Sequence, residues 1–113
     1  MHQPNFFERQ AQDPSPIAGQ VVIRALGEFQ ARGKLLAQRE LPLDRLRGAL
    51  RRAAESLNVE ELTDEQAAAI LTDLGANVRQ VPPFVAKHPY RVTVQTELAE
   101  HVLQVYRDSV ETA

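Results

Sequence analysis

Residues 63–81, TDEQAAAILTDLGANVRQV, hold a helix start, a helix stop and a change of period in one short stretch. Thr63 and Gln66 stand at the spacing of a capping box, in which the Thr hydroxyl and the Gln side chain each satisfy a backbone amide at the other residue. Leu62 and Ala67 flank that box as a hydrophobic staple. Ala67, Ile70, Leu71 and Leu74 then recur at three- and four-residue steps, which is one face of a helix, and Gly75 follows where a left-handed residue closes one. After Asn77 the period changes to two. Val78-Arg79-Gln80-Val81 alternates and is stopped by Pro82-Pro83, neither of which can donate to a ladder.

Downstream, Tyr90, Val92 and Val94 alternate with Arg91 and Thr93, which predicts a second strand covered on one side. The two strands form a hairpin whose loop, Pro82 to Pro89, is longer than a tight turn and carries Phe84, Lys87 and His88 away from the body. Thr96 caps a last helix with Leu98, Val102, Val105 and Tyr106 on its buried face. Upstream, Leu43, Leu46, Leu50, Ala53 and Leu57 lie on one face of a helix that starts just after Pro42. Ser15-Pro16 opens a further helix over 16–32, with Val22, Leu26 and Phe29 in its stripe, Ile17 and Ala25 widening it, and Gly33 at its end. The apolar run from Lys34 to Gln38 fits either a minor strand or a prolonged helix, because periodicity does not arbitrate at that length.

Residues 1–16 read as an N-terminal arm, partly disordered, and 17–113 as a single domain. Phe6 and Phe7 are two adjacent aromatics on that arm, which dock on the chain's own core or anchor a second subunit or partner. A hydrophobic content of 43% against 25% charged residues suits one globular core. With aromatics at 5% and no Trp, that core must rest on Leu, Val, Ile and Ala. The absence of Cys removes disulfides, thiolate ligands and thiol nucleophiles together. No apolar run reaches the length of a membrane span, and Met1 to Gln12 lacks the pattern of a signal peptide, so the expected address is cytoplasmic.

Catalytic patterns are missing as well. His2, His88 and His101 form no i, i+4 His pair, the five Gly are too dispersed to cradle a phosphate, and no G-x-S-x-G elbow occurs. The acid pairs Glu60-Glu61 and Asp64-Glu65 sit at a helix N-terminus, where the macrodipole favours them for stability. The chain is therefore expected to be no enzyme, with no metal and no cofactor.

Three helices, a strand, a projecting loop and a second strand, with Gly closing the third helix, resemble the winged helix-turn-helix domain over residues 17–94. Ile70-Leu71-Thr72-Asp73-Leu74-Gly75-Ala76-Asn77-Val78 and Tyr90-Arg91-Val92-Thr93 carry the likeness. The resemblance implies an α+β, mainly helical fold: three helices, a β-hairpin wing and a C-terminal helix that makes a homodimer. It also makes Thr63 to Leu74 the recognition helix and the loop around Lys87, His88 and Arg91 the wing. This sequence departs from that pattern, because a helix entering the major groove should present cations and amides, whereas this one offers Asp64, Glu65 and Asp73 with no Lys or Arg.

Charge is segregated along the chain. Residues 24–52 hold eight Arg or Lys against three acids, and residues 55–76 hold six acids and no base. Residues 77–94 turn positive again through Arg79, Lys87 and Arg91. The favoured expectation is a nucleic-acid-associated accessory or regulatory module that grips the backbone of double-stranded DNA. Its contacts would be Arg45, Arg47, Arg51, Arg52, Lys87, His88 and Arg91, reading charge and shape. The alternative is a protein-protein interaction or dimerisation module with no nucleic-acid binding, in which Phe6, Phe7, Asp64 and Glu65 meet a partner protein. A third reading makes the Arg cluster a solvated face that pairs with the acids of the third helix.

Overall fold

The computed structural model describes residues 16–82 and 89–112. The expected arm, with Ser15, Phe6 and Phe7, and the wing tip with Phe84, Lys87 and His88 lie outside the described residues. In chain order the elements are α1 (Pro16–Ala31), β1 (Leu41–Pro42), a 3-10 turn (Leu43–Leu46), α2 (Arg47–Ser56), α3 (Asp64–Asp73), β2 (Asn77–Gln80), β3 (Tyr90–Thr93) and α4 (Thr96–Thr112). The fold is α+β and mainly helical, as expected, with an antiparallel sheet of order β1-β3-β2.

Helix ends follow the local chemistry. Thr63 accepts from the Gln66 amide at 3.1 Å and donates its own amide to Gln66 Oε1 at 2.9 Å, completing the box. At the far end of α3 the Gly75 amide donates to Thr72 and the Ala76 amide to Leu71, the paired bonds of a Schellman motif. Gly75 sits there at φ +102°, a conformation that a Cβ would strain. The same paired bonds close α1 around Gly33 and α2 around Asn58, which holds φ +59°. Asn at such a position is tolerated because its short polar side chain bonds locally.

Two features differ from the sequence expectation. The helix expected right after Pro42 begins as a 3-10 turn and becomes α-helical only at Arg47, where its buried face, Ala49, Leu50, Ala53 and Ala54, meets the core. The hairpin also gains a third strand, with Leu41 opposite Val92 and Pro42 opposite Arg91. The run at 34–38 is neither a strand nor more helix. It contributes a single parallel bridge, Ala37 to Val94, with the Gln38 amide donating to the Val94 carbonyl at 2.7 Å.

The core is one cluster centred on α1, whose Val21, Val22, Ala25 and Leu26 are almost wholly removed from solvent. Leu43, Leu46, Leu50, Leu71, Val92 and Val102 converge on it, each burial of this kind contributing about 1.5–3 kcal/mol. Along β3, Val92 faces the core and Arg91 the other side, so the alternation read from the sequence is realised. Arg79 and Arg91 are directly opposed across β2 and β3, a like-charge pairing that is unfavourable by itself. Glu40 offsets it through a two-pronged bond from Arg79, at 2.7 and 3.0 Å. That guanidinium holds the Glu40 carboxyl below its ordinary range, and the charge of Arg91 acts in the same direction.

Helix α4 runs back along α1. Gln30 Nε2 donates to the Ala99 carbonyl at 2.8 Å, and Arg24 Nη1 donates to the Ser109 hydroxyl at 3.2 Å, which fixes the two helices antiparallel. Between these bonds Gly27 faces Tyr106 so closely that a Cβ would stand 2.3 Å from Tyr106 Cβ and 2.8 Å from the Val102 carbonyl oxygen. The crossing therefore has room for Gly alone.

Candidate interaction surfaces

The basic residues singled out from the sequence divide by the company they keep. Arg47, in the first turn of α2, is half-buried and donates to Glu61 Oε2 at 3.1 Å, to the Leu62 carbonyl at 2.7 Å and to Asp64 Oδ1. It ties the start of α2 to the start of α3. Arg51, one turn on, brings its Nε to 3.9 Å from the other oxygen of Glu61. Arg52 points elsewhere, with its Nε donating at 2.7 Å to Glu28 of α1, the same carboxylate that Arg32 approaches at 3.6 Å. Arg45, on the exposed side of the 3-10 turn, makes no ion pair among the described residues. Arg91 lies on the sheet beside Arg79 and Glu40.

Arg47 and Arg51 thus share one acidic seam, while Arg52 and Arg91 belong to two other places. The pairing with acids of the third helix, weighed from the sequence, is realised at Asp64 and at Glu61 just before it. Of the acidic residues proposed to meet a partner, Asp64 is therefore already engaged and Glu65 is exposed. Among the described residues no cluster of His, Asp and Glu is arranged to hold a metal ion. No helix among them is long and apolar enough to cross a membrane.

Sequence reasoning missed a third surface. Where the C-terminal half of α4 passes the first turns of α1, Gln20, Ile23, Arg24, Leu57, Val105, Tyr106 and Ser109 line an open groove of ≈ 220 Å³. Val105 was expected on the buried face of the last helix. It is 38% exposed, because α4 continues past the core at this end and the groove is left uncovered beside it. Val110, in the last turn of α4, is 48% exposed, and Ile17, expected to widen the apolar stripe of α1, is 37% exposed in its first turn, which precedes the core positions. Arg24 lies over the Tyr106 ring, its guanidinium carbon 5.6 Å from the centroid, so the groove has a cationic and aromatic rim. The helical period of residues 102–110 places Val105 and Val110 near the α1 side, and only the antiparallel crossing reveals that both stay exposed there.

Compared with protein-family models, with curated proteins and with solved structures, the chain matches none.

Proposed function

We propose that the chain is a protein-interaction module on a winged-helix-like scaffold, self-associating as a homodimer through the face that α1 and α4 share. The element order and the β1-β3-β2 sheet, with a hairpin leading into a terminal helix, support the winged-helix reading. One observation carries the interaction reading: Val105 is 38% exposed in an open apolar groove between α1 and α4, and Ile17 and Val110 are exposed in the first turn of α1 and the last turn of α4. Exposed apolar surface gathered at one place marks contact with another macromolecule more often than singly scattered residues do. The lack of Cys fits a cytoplasmic setting.

The phosphate-binding reading has weaker support. Arg47 and Arg52 are held by carboxylates of their own chain, and a phosphate would have to displace Asp64, Glu61 or Glu28 to reach them. Lys87 and His88, the wing cations, lie outside the described residues.

Sedimentation velocity over a concentration series tests the proposal, with Val105→Glu as the comparison. The wild type is expected to form a dimer that grows with concentration, and V105E to stay monomeric. A wild-type chain that remains a monomer throughout overturns the reading. A parallel titration with duplex DNA at two salt concentrations is expected to show no binding; affinity that falls as salt rises would restore the phosphate-gripping reading instead.

A further inference from the structure

Arg24 gives the groove between α1 and α4 a charge that its apolar walls do not answer. The acid at ion-pairing distance along the same helix is Glu28, four residues on. Its carboxylate is already engaged, since Arg52 donates to it at 2.7 Å and Arg32 approaches it at 3.6 Å. Among the described residues the Arg24 guanidinium meets neutral partners, the Ser109 hydroxyl at 3.2 Å and the Tyr106 ring at 5.6 Å, and no carboxylate. A guanidinium carries a planar fork of N–H donors, more than that one hydroxyl can use.

Beside this cation the groove is apolar. Ile23, Leu57 and Val105 wall it, and Tyr106 adds an aromatic surface. Its ≈ 220 Å³ is ample for a ring. An apolar cavity of about 150 Å³ already admits benzene.

We propose that the groove is a binding site for a small aromatic carboxylate, its ring among Ile23, Leu57, Val105 and Tyr106 and its carboxylate paired with Arg24. Each half of such a molecule answers one half of the site. A neutral ring would fill the walls and leave the guanidinium partly desolvated without a counter-charge. An inorganic anion would meet the charge and bury no apolar area. The planar carboxylate matches the guanidinium fork, which can donate two parallel N–H bonds to it. Tyr106 favours a flat ring over an aliphatic chain, because offset or edge-on aromatic packing gains more than the buried area alone. The site goes beyond the interaction reading and rests on it for one consequence. Val105 belongs both to the ligand's wall and to the face through which two copies meet, so ligand and second copy compete for it.

Benzoate is the probe, titrated into dilute full-length protein with labelled Ile, Leu and Val methyls. The Ile23, Leu57 and Val105 signals are expected to shift along a saturating curve, and those of Leu41 and Leu62, which do not line the groove, to stay in place. Benzamide has the same shape without the charge and should bind at least about tenfold more weakly, the loss of a charge-assisted pair. Arg24→Gln should weaken benzoate by a similar factor and leave benzamide as it was. The benzoate and benzamide comparison is made on the wild type, so it stands even if R24Q folds poorly. Groove methyls that do not shift to saturation, or benzamide binding as tightly as benzoate, overturn the site. In sedimentation, saturating benzoate should move the chain towards monomer. A dimer that persists with the groove filled overturns the competition and places the contact between copies elsewhere. Benzoate binding by a chain that never dimerises supports the site and removes the self-association reading.

Discussion

Replacing Gly27 by Ala tests the crossing of α1 and α4 directly. The added Cβ would meet Tyr106 Cβ at 2.3 Å, Tyr106 Cγ at 3.0 Å and the Val102 carbonyl oxygen at 2.8 Å. Carbon atoms rest at about 3.5–4.0 Å from one another. The first and last of these neighbours are a Cβ and a backbone atom, which no rotamer change moves, so the helices must part by about 1 Å or more. Overpacking of this kind costs about 1–3 kcal/mol. Parting also stretches the bond from Gln30 to the Ala99 carbonyl, worth about 1 kcal/mol net. Ala is favoured over Gly inside a helix by about 1 kcal/mol, which works the other way. The expected outcome is a loss of about 2–3 kcal/mol, from the high end of the packing cost. In urea, followed by far-UV circular dichroism, this appears as a lower midpoint with an unchanged slope. Gly19, in the same helix, has nothing within 4 Å of the equivalent position, so Gly19→Ala should raise the stability by about 1 kcal/mol, seen as a higher midpoint. If G27A matched G19A in stability, the close approach described at this crossing would be wrong.

Arg47→Ala removes three bonds that join α2 to the start of α3 and leaves the Leu62 carbonyl without its donor; after screening at these part-exposed groups, a loss of about 1–2 kcal/mol is expected by thermal unfolding, smaller at high salt. A salt-independent effect would point to packing of the Arg stem instead. Thr63→Ala deletes one half of the capping box and should cost about 1 kcal/mol, read as a lower urea midpoint, whereas an unchanged midpoint would mean that Gln66 alone holds the helix start. The Glu40 carboxyl titrates below its ordinary 4.5 in the folded chain, so its pairing with Arg79 contributes above that value and is lost as pH falls through the lowered one. Glu40→Gln should therefore flatten the decline of stability in that acid window and leave it unaltered near neutrality in shape. Carbon-detected titration of Glu40 giving an ordinary or raised midpoint would contradict the bond to Arg79.

Much of the fold was legible because it is set by neighbours in sequence. The box at Thr63, the stop at Gly75 and the change of period at Asn77 are local physics, and each stands where the residues put it. β1 escaped notice for the opposite reason. Two residues, one of them Pro, carry no periodic signal, and only Val92 and Arg91 from far along the chain make them a strand. Leu41 and Leu43 alternating about Pro42 are the available hint, but Leu43 reads equally well as the first apolar position of the helix that follows. For the surfaces, the run of Arg from 45 to 52 was plain, as was the option that acids would neutralise it. Which acid meets which Arg depends on how α1, α2 and α3 are disposed in space, and Glu28 for Arg52 was not foreseeable from spacing. The groove was hidden for the same reason, since exposure of Val105 is a property of where α4 overshoots the core rather than of its own sequence.

The sheet also bears on how the protein behaves when crowded. Its two borders are β1, where Pro42 has no N–H to offer an incoming strand, and β2, where Arg79 stands exposed with Asn77 and Gln80. A foreign backbone adding at the first border would lack a donor, and one adding at the second would have to desolvate a guanidinium already committed to Glu40. Each rim thereby resists templated stacking into fibrils.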